Sequence, residues 1–165
     1  EQIISSIEIG LNLLSSMHIE YKDVNNWNQY LADYLAQYGA IQQGTQPSFA
    51  ELLQNKLNQN PGWLLQPYPI AIPHLKDDLI QHPLIVITIL DQAITMQNAH
   101  NDLFKIKYLI GLFIPNNDEM AQLVGELSAE LGHHLDHIDD FMKQPEQLKH
   151  NLKNSFLKRI KKQLI

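Results

Sequence analysis

From Trp27 onward the apolar residues Trp27, Tyr30, Leu31, Tyr34, Leu35 and Tyr38 recur at three and four positions, the spacing of a helix with one buried face. Asn25 or Asn26 can cap its start, and Gly39 can stop it. A second helix is expected from Ser48, because Glu51 follows three residues later in the spacing of a capping box. Phe49, Leu52, Leu53 and Leu57 form its stripe, and Pro61 with Gly62 closes it. The pattern then changes. Ile70 to Ile72, Leu84 to Leu90 and Lys107 to Ile114 read as strands, the last two as nearly continuous apolar runs without alternation. Such runs suit strands covered on both faces. Helical spacing returns at Met120, Leu123, Val124, Leu127 and Leu131. Pro145 then sits where a first helical turn accepts it, opening "PEQLKHNL", and a last amphipathic helix carries Phe156, Leu157, Ile160 and Leu164. The order predicts an α/β fold, a sheet flanked by helices on both faces.

Length and composition narrow this further. A chain of 165 residues suits one domain with a real core, and 44% hydrophobic against 18% charged residues excludes a disordered segment. Residues 1–16, "EQIISSIEIGLNLLSS", mix apolar and small polar residues with a glycine, the pattern of a lead-in helix or a linker from a preceding domain; residues 17–165 then form the domain itself. The net charge of -6 argues against direct nucleic-acid binding, which needs an electropositive surface. The absence of cysteine removes disulfides, thiolate metal sites and thiol nucleophiles. The longest apolar stretch, Leu84 to Leu90, is far short of the ~20 residues of a membrane span. Cytoplasm is the expected location. The first residue is glutamate and no signal-peptide layout follows it, which suggests a piece of a longer polypeptide.

The candidate chemistry lies in "PIAIPHLK". Proline holds Ile72 extended and lacks an amide donor, so the strand is expected to lose its ladder at Pro73 and release His74 at its end. A neutral imidazole fixed there is a good acceptor for a phosphoryl group near neutral pH. The bland alternative is a surface histidine that happens to follow a strand.

Ile70, Ala71, Ile72, Pro73 and His74 reproduce the core signature of the type-2 EIIA domains, the mannitol and fructose class of the bacterial sugar phosphotransferase system. The stretches "WNQYLADYLAQYGAI", "FAELLQNKL", "HPLIVITILDQAI" and "KYLIGLFIPNNDEMAQLVGELSAEL" also resemble that family's elements in its order, over about residues 10 to 155. The resemblance implies a mixed central sheet between helices and His74 as acceptor of phosphate from HPr, with no metal or organic cofactor. It further implies either an EIIB domain or covalently attached regulator domains as the next partner. Within the family, such domains also close transcription regulators that bear paired regulation domains. Three departures stand out. Gln66, Pro67, Tyr68 and Pro69 replace glycines before the signature, and Leu75 replaces a small residue after it. Met120 stands where a second family histidine helps hold the phosphoryl group, and Lys56 is the nearest match to a family arginine. Loss of one prearranged donor in comparable sites costs on the order of 3 kcal/mol. A slow acceptor suits a sensor better than a carrier, so Met120 favours a regulatory module, with a transport phosphocarrier and an interaction module that has lost phosphorylation as the alternatives.

Other polar clusters compete for attention. His133, His134, His137, Asp139 and Asp140 offer metal-ligand types, but without an HExxH arrangement they read as the polar end of a helix. Lys153, Lys158, Arg159, Lys161 and Lys162 form a basic face on the last helix, whose expected role is a solvated side opposite a packed stripe. His82 and His100 fall in predicted loops, close enough in the chain's order to be candidates for approaching a phosphoryl group at His74, with exposed polar surface as the bland alternative. Trp27 and the tyrosine row are expected to be core.

Overall fold

The computed structural model describes residues 17–116 and 120–164; within these ranges nothing is stated of the side chains of Lys22, Met120, Ile160, Gln163 and Leu164, and the expected lead-in segment 1–16 lies outside the described residues. In chain order the strands are β1 (Met17–Lys22), β2 (Ile70–Ala71), β3 (His74–Lys76), β4 (Leu84–Gln97) and β5 (Leu103–Ile114). The helices are α1 (Trp27–Gln37), α2 (Gln46–Gln59), α3 (Met120–Gly132), the single turn α4 (Ile138–Phe141) and α5 (Pro145–Leu164). All five strands form one mixed sheet. β4 and β5 pair antiparallel at its centre, β1 runs parallel to β4, and β2 and β3 both run parallel to β5 on its other side.

The two continuous apolar runs now have a physical reason. Along β4, Leu84, Val86 and Leu90 enter a core shared with Leu109 and Phe113 of β5 and with α1 and α2. The intervening Ile85, Ile87 and Ile89 enter a second core with Tyr108, Ile110 and Leu112, covered by α3 and α5. Alternation is present, but both faces are dry, so both sets must be apolar. Among the described buried residues Thr88 is the polar exception: fully enclosed, its Oγ1 lies 2.8 Å from the Tyr30 hydroxyl. Burial pushes the Tyr30 phenol up to about 12, so it stays neutral and holds this bond. Thr88→Val keeps the shape and removes the partner. A loss of about 1 kcal/mol in urea-unfolding free energy is expected; no loss would show that the Tyr30 hydroxyl finds water instead.

Gly39 ends α1 with φ of 74°, as its position predicts, and Asn26 is the N-cap residue, although its side chain makes no capping bond. Other boundaries differ from expectation. α2 starts at Gln46, with Thr45 as N-cap and Pro47 in the first turn, so Ser48 is already inside the helix and the Ser48/Glu51 capping box does not form. The last two predicted helices are one: Leu148, Leu152 and Phe156 repeat at four residues, are all buried, and no breaker interrupts them. β4 and β5 extend beyond their predicted ends. After Ile89 the pairing shifts past the exposed Asp91, Gln92 and Ala93, then resumes at Ile94 opposite Ile106. β1 and β3 were not expected as strands. No described helix is long and apolar enough to cross a membrane.

Candidate functional site

Two ladders hold the segment around His74. On one side, Trp63 to Leu65 runs antiparallel to Ile70 to Ile72: Leu65 N–H donates to the Ile70 carbonyl at 3.0 Å, Ile72 N–H donates to the Trp63 carbonyl at 2.7 Å, and Leu64 bridges Ala71. On the other side, β2 pairs with β5 at Tyr108 and Leu109, and β3 pairs with β5 from Leu112 to Ile114. The ladder does not end at Pro73, contrary to the reading from sequence. Proline has lost its donor but not its acceptor, and the Pro73 carbonyl accepts from Leu112 N–H at 3.0 Å. His74 therefore opens a second short strand instead of hanging from the end of the first.

The imidazole is only partly buried. Leu75 is directed into the first core, and Tyr68 packs against the second core, where it lines a groove with Leu135 to Asp140. Trp63, almost fully buried, places its indole 5.6 Å from the imidazole centroid at 49°. The Nδ1 atom lies 2.7 Å from the Ile72 carbonyl oxygen. A carbonyl only accepts, so Nδ1 carries the proton and the Nε2 lone pair is left free. Burial pulls the His74 pKa below its ordinary value, and the Ile72 carbonyl opposes this only in part. The result is a neutral, oriented ring with one nucleophilic nitrogen.

The other predicted site residues are less closely tied to it. Lys56 lies in the last turn of α2, where its carbonyl accepts from Asn60; among the described residues no hydrogen bond or ion pair joins it to His74. Met120 opens α3, and its side chain lies outside those described. His82 is exposed in the crossing from β3 to β4, at the same end of β5 as His74, with no hydrogen bond between the two rings among the described residues. His100 lies in the turn between β4 and β5, beyond Leu103, while His74 pairs with Leu112. Nine strand steps at about 3.3 Å put it roughly 30 Å away, so it does not reach His74. Trp63 lies just beyond the Pro61–Gly62 stop of the second helix, and the hydrophobic pattern alone gives it no part in the site. The one signal that could have found its contact with His74 is an aromatic residue set just before a signature that folds back on it.

The remaining clusters have structural partners. His134 stacks on Phe141 at 3.7 Å and meets Glu130 at 3.2 Å, Asp139 accepts from the Tyr108 hydroxyl at 2.6 Å, and among the described residues no three His, Asp or Glu side chains converge as metal ligands would. On α5, Arg159 pairs with Glu126 of α3 at 3.1 Å while Phe156 is buried, so the basic helix is packed along one side.

Comparison with known proteins agrees with this fold. A family model described as "Phosphoenolpyruvate-dependent sugar phosphotransferase system, EIIA 2" matches residues 12–155. No curated protein sequence matches the chain. Among solved structures, the nitrogen regulatory protein IIA-Ntr from Neisseria meningitidis superposes with a TM-score of 0.63 at 14% identity, over 88% of this chain and 99% of the other. A chain described as a PTS IIA domain from Streptococcus pyogenes M1 GAS gives 0.61 at 13% identity, over 90% and 94%. At these identities the superpositions show a shared fold.

Proposed function

Because the chain belongs to the type-2 EIIA family of the phosphoenolpyruvate-dependent sugar phosphotransferase system, we propose that His74 Nε2 accepts a phosphoryl group from phospho-HPr and that this domain uses it as a sugar-supply signal. The single observation that carries the reading is the Nδ1 contact to the Ile72 carbonyl at 2.7 Å, which leaves Nε2 as the nucleophile. In the transfer, the Nε2 lone pair forms the new N–P bond while the pair of the breaking P–N bond stays with the donor nitrogen. The acceptor ring gains positive character as Nε2 becomes quaternised, and the Ile72 carbonyl stabilises it through the retained Nδ1–H. No metal or cofactor takes part in this step. The donor operates in the cytoplasm, where this reading places the domain.

A regulatory role, with the domain attached to a transcription regulator, is favoured over onward transport because Met120 occupies the position of the family's second histidine. Lys56 remains the proposed basic neighbour of the phosphoryl group. Incubation with phosphoenolpyruvate, enzyme I and HPr is expected to leave acid-labile phosphate on the domain. No uptake would overturn the reading, and rapid discharge to an EIIB domain would replace the regulatory role with that of a carrier.

A further inference from the structure

We propose that Trp63 is the positioning residue for the His74 imidazole, acting on it twice, through its own backbone carbonyl and through its indole. The carbonyl receives the Ile72 N–H at 2.7 Å and so fixes the residue whose own carbonyl oxygen holds Nδ1 at 2.7 Å. The indole lies against the ring at 5.6 Å and is itself 2% exposed, so it is a fixed wall and not a mobile cover. One residue therefore limits both where the ring sits and how much water reaches it. Burial is the largest influence lowering the His74 pKa, and this indole is an immovable part of that burial. Trp63 is not a catalytic residue in this account; it determines which nitrogen is free and over what pH range.

The proposal rests on His74 being the phosphoryl acceptor, and its tests separate the two. In a Trp27→Phe background, where Trp63 is the remaining tryptophan, indole emission is expected to fall as pH drops through the His74 titration, because a protonated imidazole beside an indole quenches it. His74→Gln is expected to remove that step. Trp63→Leu leaves the backbone carbonyl in place but frees the ring to turn away from the Ile72 oxygen; by 15N NMR it is expected to raise the His74 midpoint toward its ordinary value and to mix the two ring tautomers, with phosphoryl uptake reduced about tenfold. Trp63→Phe keeps an aromatic wall and should restore both the midpoint and the tautomer. A Trp63 emission without a His74-dependent step overturns the proposal, as does an unchanged midpoint and tautomer in a folded Trp63→Leu. If Trp63→Leu does not fold, the emission arm decides alone. A domain that takes up no phosphate yet shows these spectroscopic effects refutes the acceptor reading and leaves the positioning role standing.

Discussion

Replacing His74 with glutamine is expected to abolish phosphoryl uptake, a fall in rate of more than about 10³-fold. A glutamine amide can still donate to the Ile72 carbonyl, as Nδ1 does at 2.7 Å, but its nitrogen has no lone pair available for attack on phosphorus. The side chain is only partly buried and stands beside rather than within either core, so unfolding free energy should change by less than about 1 kcal/mol. Retained uptake of acid-labile phosphate by the variant would place the acceptor elsewhere. The parent protein should also show a distinctive pH profile. His74 must be neutral to accept, and its folded pKa is lowered. Its NMR midpoint should therefore lie below about 6.5, with acceptance full at neutral pH and falling tenfold per unit once pH drops beneath that midpoint. A midpoint above 6.5 would contradict the burial argument.

Phe113→Ala is expected to lower the unfolding free energy by about 3–5 kcal/mol, read as a shift in urea midpoint at constant m. Phe113 is fully buried on β5, where it pairs with Leu84 of β4 on one side and Leu75 of β3 on the other. Its ring meets Phe49 of α2 edge-on at 6.1 Å. It also lies so close over Gly111 that a Cβ there would stand 2.6 Å from its Cε2. A cavity at this point borders the sheet, α2 and the strand that bears His74, and fixed backbone on two sides prevents collapse. A loss below about 1.5 kcal/mol would mean that the site relaxes freely and the packing is looser than these contacts imply.

How much of this could be read from the chain depended on how local the cause was. The helix Trp27–Gln37 declares itself because its stripe and its stop residue, Gly39, act within a few residues. The runs Leu84 to Leu90 and Lys107 to Ile114 were legible as doubly covered strands for the same reason. β1 and β3 were not. Each has its neighbours supplied by distant sequence, Met17 by Ile85 and His74 by Leu112, and neither is long enough to announce a period. The Ser48 capping box failed because Pro47 could start the helix earlier, a competition that spacing alone does not settle. At the site, the proline and the histidine were visible, whereas the Ile72 carbonyl and the Trp63 indole were not, since backbone direction and a fold-back contact decide both.

Strand β5 serves as a ruler for the reactive segment. Ala71 sits opposite Leu109 and His74 opposite Leu112, so the two stretches advance in step across the intervening proline. Gaining or losing a single residue there would exchange inward and outward positions, sending the imidazole into the space Leu75 now fills and a leucine toward solvent. The segment can therefore accept changes of side chain far more readily than changes of length, and an insertion of one amino acid would silence it more surely than most substitutions.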